Sequence, residues 1–391
     1  MFTLLSTARK AAAKIIAVVS VIGLAACDPS MMPSGPTAGG PNIDTQKPVR
    51  VALLLPKSDQ SAQSLPRDLE NAARMAVADL QGVQIDLQVY DTGGTPTQAA
   101  AVATQAVTDG AKIIIGPLYQ QNAVAASQAV AASGINVLSF SNNPEIGGGN
   151  LFVLGDLFDT RANRLVNFAA RQGKRSGAIM YENSTGGQLG RDAIAAAAAR
   201  NGVSIVGSAG YDLNAQSLSS AISQVRGMIS QAGAQAVFLT DNWDQGLGVA
   251  LQLMPEQGID PASTQYVGLS RWDTRPDGFN IRGVEGGWFT VPDRNALANF
   301  QSRFQAQFGN TPHPLAGLAF DGVAAVGALI GQGRSDALTA AALTQTAGFQ
   351  GTGGVFRLRP DGTNERALAI ATVRNKQVVI LDPSPTRFGG F

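Results

Sequence analysis

The chain has 391 residues, 45% of them hydrophobic and 15% charged, with 45 glycines, which exceeds one typical domain and excludes a largely disordered polypeptide. Its 29 Lys and Arg against 28 Asp and Glu give none of the one-sided charge that attracts nucleic acid. A single cysteine excludes an intrachain disulfide.

Residues 1–26 read as a signal peptide and not as part of the fold. Arg9, Lys10 and Lys14 precede the apolar run Ile15 to Leu24, which is short beside the roughly 20 residues a membrane span needs. Leu24-Ala25-Ala26-Cys27 resembles the bacterial lipobox, in which the cysteine is lipidated and becomes the first mature residue. Acyl chains on Cys27 would hold the protein to a membrane at about 0.8 kcal/mol per buried methylene. Residues 27–48 are the lipidated cysteine and a tether, rich in Pro, Gly, Ser and Thr and expected to be flexible.

The folded part alternates short apolar strands with amphipathic helices. Val49 to Leu55 ("VRVALLL") is the near-continuous apolar run of a strand buried on both faces. Helix 65–80, strand 85–90, helix 97–108, strand 112–115, helix 122–132 and strand 136–140 follow. After the strand 151–154 the rhythm restarts: helix 160–172, strand 177–181, helix 190–201, strand 203–207, helix 216–231, strand 236–240, helix 245–257 and strand 266–269. This order predicts an α/β protein of two doubly wound parallel-sheet lobes. A strand at 287–291, helices at 295–308, 315–330 and 336–344, and a hairpin turning at Pro360-Asp361-Gly362 complete the chain. The expected division is 49–158 plus 288–345 for lobe 1 and 159–287 plus 346–385 for lobe 2.

Catalytic and metal chemistry find little material. His313 is the only histidine and sits between two prolines, so no Cys-His pair or metal cluster follows. Asp91, Glu145, Asp156, Glu182, Asp241, Asp244 and Asp273 fall at or near strand ends, where most such acids are caps or solvated charges. "TGGTP" and "IGGGN" match no phosphate-binding fingerprint and read as turns. No catalytic residue, metal site or cofactor is expected.

"IIIGPLYQQNAV" (Ile113 to Val124) is more informative. Gly116 lets the backbone turn at the strand end, and Pro117 suits the first turn of a helix. That helix start would aim unpaired N–H groups at a cleft, as a carboxylate site requires.

"VALLLP", "VYDTGGTPTQAAAVATQAVTDGAKIIIGP", "GINVLSFSN", "PLAGLAFDGVAAVGALI" and "FQGTGGVFRLRPDGTNERALAIATVRNKQVVIL" stand in the order and spacing of the type I periplasmic binding proteins, and resemble their leucine/isoleucine/valine-binding branch. The resemblance implies a ligand cleft at Gly116, Pro117, Leu118, Tyr119, Gln120, Ser139, Ser141, Asn142, Glu145, Tyr181 and Asp241. Amino-acid binders of this fold follow the Gly-Pro turn with a serine; here Leu118, Tyr119, Gln120 and Gln121 follow, so a ligand carboxylate is poorly provided for. "GPLYQQNAV", "GINVLSFSNNPE" and "LGRDAIAAAAARNGVSIV" are similar to the penicillin-binding-protein activator lipoproteins of the LpoA type. That similarity implies a non-enzymatic, lipid-anchored periplasmic regulator that touches a bifunctional penicillin-binding protein and stimulates peptidoglycan crosslinking. The expected anchor is in the outer rather than the inner membrane, although Asp28 after the cysteine resembles an inner-membrane retention signal. The alternative is a solute-binding lipoprotein that delivers a small amino-acid-like ligand to an ABC transporter.

Overall fold

The computed structural model describes residues 40–388. The signal peptide and Cys27 therefore lie outside the described residues. Residues 40–48, expected in the tether, lie along the folded body: Ile43 is 7% exposed and its N–H donates to the Ser335 carbonyl at 2.9 Å. Gly40 packs there too, since a Cβ on it would lie 2.4 Å from the Leu338 carbonyl oxygen.

The first sheet holds β1 (Val49–Leu55), β2 (Ile85–Asp91), β3 (Ile113–Ile115), β4 (Val137–Ser139) and β5 (Leu151–Val153), all parallel, in the order β2-β1-β3-β4-β5. The pleat of β1 divides its apolar residues between two layers. Val51, Leu53 and Leu55 meet α1 (Leu65–Asp79), whereas Ala52 and Leu54 meet α2 (Pro96–Thr108) and α3 (Gln120–Val130).

The second sheet, which includes β14 (Ala369–Arg374) and β15 (Gln377–Asp382), runs β15-β14-β10-β9-β8-β6-β7. Its strands β6 (Ser176–Glu182), β7 (Ser204–Tyr211), β8 (Ala236–Leu239), β9 (Gln265–Gly268) and β10 (Trp288–Val291) are parallel. One face carries α4 (Phe158–Arg171) and α5 (Thr185–Asn201), the other α6 (Ala215–Ala232) and α7 (Leu247–Glu256). Glycines in left-handed conformation, Gly202 and Gly233, close α5 and α6.

After β10 the chain returns to the first core. There α8 (Arg294–Phe308) and α9 (Ala316–Ile330) pack through Phe300, Phe304 and Leu318, followed by the short α10 (Ala340–Leu343). A small antiparallel sheet of β11 (Phe349–Gly351), β12 (Gly354–Leu358) and β13 (Asn364–Arg366) adds Phe349, Phe356 and Leu358 to that same core. The chain then returns to the second sheet as the hairpin β14 (Ala369–Arg374) and β15 (Gln377–Asp382), turned by Asn375 and Lys376 at positive φ.

Two placements differ from the sequence reading. Trp288–Val291, assigned with lobe 1, pairs with β9 and β14 in the second sheet. The strands β11 to β13, assigned with lobe 2, pack on the first core. Short apolar strands carry no local signal of which sheet they join; pairing across many residues decides it.

Candidate functional site

In a doubly wound sheet the ligand crevice opens where the strand order reverses, at the carboxyl ends of the strands. In the first sheet that point lies between β1 and β3, and in the second between β6 and β8. The first puts Gly116 and Pro117 at the rim, and the second puts Glu182 and Asp241 there.

Gly116 has φ +89°, and a Cβ on it would lie 2.3 Å from the Leu54 carbonyl oxygen, so no other residue fits this turn. Pro117, expected in the first helical turn, stands outside it, because α3 begins only at Gln120. Its carbonyl instead accepts the Phe140 N–H and the Ser139 hydroxyl, both at 3.0 Å. Ser139 Oγ in turn accepts from Ser141 N, and Ser141 Oγ from Asn143 N. The Ser139 hydroxyl is thus committed to fixing the loop as donor and acceptor, whereas Ser141 Oγ only accepts there and keeps its O–H free to donate among the described residues.

Tyr119 precedes the helix without capping it, and its hydroxyl donates to Asp59 Oδ2 at 2.7 Å. Hydrogen bonds from Ser61 and Tyr119 hold the Asp59 carboxyl below the usual aspartate value. Leu118 is half-buried and Gln120 exposed. Asn142 and Glu145 are exposed on a loop where Asn143 Oδ1 caps the Glu145 N–H.

The second rim is different. The pairing Glu182↔Tyr211, together with Met180↔Leu239 two residues earlier, sets Tyr211, Glu182 and Asp241 side by side across β7, β6 and β8. Asp241 is 1% exposed and neither of its carboxylate oxygens has a hydrogen-bond partner among the described residues. Glu182 Oε2, the Tyr211 hydroxyl and Thr240 Oγ1 are likewise buried and unpartnered. Burial pushes the Asp241 carboxyl up to about 6; the Tyr211 hydroxyl, near it but outside hydrogen-bond geometry, pulls the other way, and the Glu182 charge adds to the rise. Burial, and then Asp241, push the Tyr211 hydroxyl upward. Close room is provided for this ring, since a Cβ on Gly246 would fall 2.1 Å from the Tyr211 oxygen.

Tyr181, one residue before Glu182, takes the other face of the pleat. Its ring lies 5.0 Å under the Arg191 guanidinium, which also donates to its hydroxyl, so it does not join Asp241. Most of the other strand-end acids are engaged elsewhere: Asp91 accepts Ser58 and Gly93 N–H groups, and Asp156, Asp244 and Asp273 pair with Arg161, Arg275 and Arg271. His313 caps its own turn, accepting from Leu315 N. Tyr211 was missed at the sequence level, and Glu182 stood only among scattered acids, because their meeting depends on strand register.

Residues 48–377 match the periplasmic binding protein family. The chain belongs to that family. Solved structures place this member in the type I fold. A putative branched-chain amino acid ABC transporter protein from Rhodospirillum rubrum aligns at TM-score 0.73 and 17% identity, over 86% of this chain and 100% of that one. A branched-chain amino acid ABC transporter periplasmic ligand-binding protein from Burkholderia xenovorans aligns at 0.65 and 19%, over 86% and 96%. A substrate-binding protein from Streptococcus pneumoniae, solved with isoleucine, aligns at 0.55 and 17%, over 87% and 100%. By sequence, an uncharacterised protein of Rickettsia prowazekii is 27% identical over 123 residues, 32% of this chain and 33% of that protein's length. No helix among the described residues is long and apolar enough to cross a membrane.

Proposed function

We propose that this family member is a solute-binding lipoprotein that captures a small ligand bearing an ammonium group and presents it to an ABC transporter. The observation that carries the reading is the buried acid pair Asp241 and Glu182, unpartnered at the switch point of the second sheet. The Asp241 carboxylate, held out of water, and the buried Glu182 Oε2 beside it call for a cation, and a bound ammonium would relieve both. A ligand carboxylate finds less: Ser139 is spent on the loop, which leaves the Ser141 O–H and the first-turn N–H groups of α3 as its receptor. The anchor on Cys27 and a periplasmic location complete the proposal.

Leucine, leucinamide and 4-methylpentanoate separate the two ends of the ligand. Thermal shifts and calorimetry are expected to show binding of leucinamide at least as clearly as of leucine, no binding of 4-methylpentanoate, and loss of binding in Asp241→Asn. Binding of 4-methylpentanoate without leucinamide would sink the reading.

A second reading, activation of a bifunctional penicillin-binding protein by direct contact, draws on the Gly116-Pro117-Leu118 turn and on the exposed Asn142 and Glu145. The commitment of the Ser139 hydroxyl within the loop favours it, since a regulator needs no free receptor there. A flat amine panel together with stimulated crosslinking by a purified synthase would favour it over transport.

A further inference from the structure

A cavity of about 890 Å³ lies where the chain passes between its two sheets, at Leu157 and Leu368, and none of the rim residues described above lines it. Its size falls within the range of small-molecule sites. Six arginines line it and no lysine does. Arg164 is engaged by Asp382 and the Leu368 carbonyl, Arg366 by Asp321 and the Leu154 carbonyl, and Arg357 by Glu365. Arg366 keeps a buried Nε without a partner among the described residues, and three further guanidinium groups have donors to spare. Arg359 gives only Nη2 to Glu365, and Arg200 and Arg387 make no hydrogen bond or ion pair among the described residues.

We propose that this cavity binds the phosphate ester of a sugar or polyol, with Arg200, Arg359 and Arg387 on the phosphate. Planar guanidinium groups are the preferred partners of phosphate oxygens, and several can share one phosphate. The rest of the wall suits hydroxyls: Thr160, Asn163 and Asp159 stand at the start of α4, and Thr363 and Asp361 at the facing turn. Asp159 and Asp361 also disfavour a second phosphate, so a single ester fits better than a diphosphate. A ligand here would touch the segments that join the two sheets, independently of the acid pair at the rim.

Calorimetry on the full-length chain with glycerol 3-phosphate and glucose 1-phosphate, and sedimentation with phosphatidylcholine vesicles with or without phosphatidylglycerol, distinguish a free ester from a lipid headgroup. The double variant Arg200→Gln/Arg387→Gln removes two exposed side chains and should fold as the parent does, checked by its melting curve. Binding of either the soluble esters or the phosphatidylglycerol vesicles, weakened at least about tenfold in the double variant, supports the site and names its source. Glycerol and glucose should not bind. The proposal is overturned if neither probe binds, if the double variant binds like the parent, or if glycerol competes as well as its phosphate. Asp241→Asn should leave this binding unchanged, so failure here and failure of the amine panel are separate results.

Discussion

Replacing Asp241 by Asn tests the buried acid pair without any ligand. Burial holds the Asp241 carboxyl at about 6 against 3.8 for an exposed aspartate, mainly because the charged form is kept from water. That difference of about two pH units corresponds to about 3 kcal/mol. The folded chain keeps this proton longer than the unfolded chain does. Stability therefore falls as pH rises from about 4 to about 6, and the full cost persists above that window. Asparagine has the same shape, carries no charge, and can offer its amide to Glu182. Asp241→Asn is accordingly expected to be more stable than the parent by up to about 3 kcal/mol at pH 7 and nearly equal to it at pH 4. Urea unfolding of both proteins at both pH values measures the gap, and comparing the two cancels the titration of groups that do not interact with Asp241. A gap that does not change with pH, or a variant weaker than the parent at pH 7, would refute the reasoning.

Gly116→Ala should destabilise by about 2 kcal/mol or more, since φ +89° and a Cβ at 2.3 Å from the Leu54 oxygen must both be relieved; the urea midpoint reads it. Arg366→Met would strip Asp321, 1% exposed, of its only ion-pair partner among the described residues and should cost about 3–5 kcal/mol, with part recovered when Asp321→Asn is added. Asp382→Asn tests the opposite pH dependence. Arg164 and Arg171 hold that carboxyl low against the opposing effect of its burial, so its contribution is present at neutral pH and lost in acid. The variant should be weaker than the parent at pH 7 and approach it near pH 3, followed by thermal melts.

Much of the architecture is legible locally. The run "VRVALLL" and the regular return of helices announce parallel sheets, because strands buried on both faces leave no polar alternation. The positive φ at Gly116 likewise follows from a glycine at a strand end. Sheet membership of Trp288–Val291 is not legible, since four apolar residues fit either core equally well. Nor is the meeting of Tyr211, Glu182 and Asp241, which needs the register of three strands far apart in sequence. Ser139 shows the converse limit: a polar loop residue looks available to a ligand until its internal bonds are seen.

The passage of the chain between sheets also bears on synthesis. The first core waits for Phe349, Phe356 and Leu358, and the edge of β10 stays unpaired until β14 arrives at Ala369–Arg374. A ribosome that has finished β9 has thus released neither core in completed form. Such dependence on distant segments slows folding and leaves an open strand edge on any shortened product. A nascent or prematurely terminated chain is therefore expected to stay protease-sensitive until its last few dozen residues emerge, and to become resistant in a single late step.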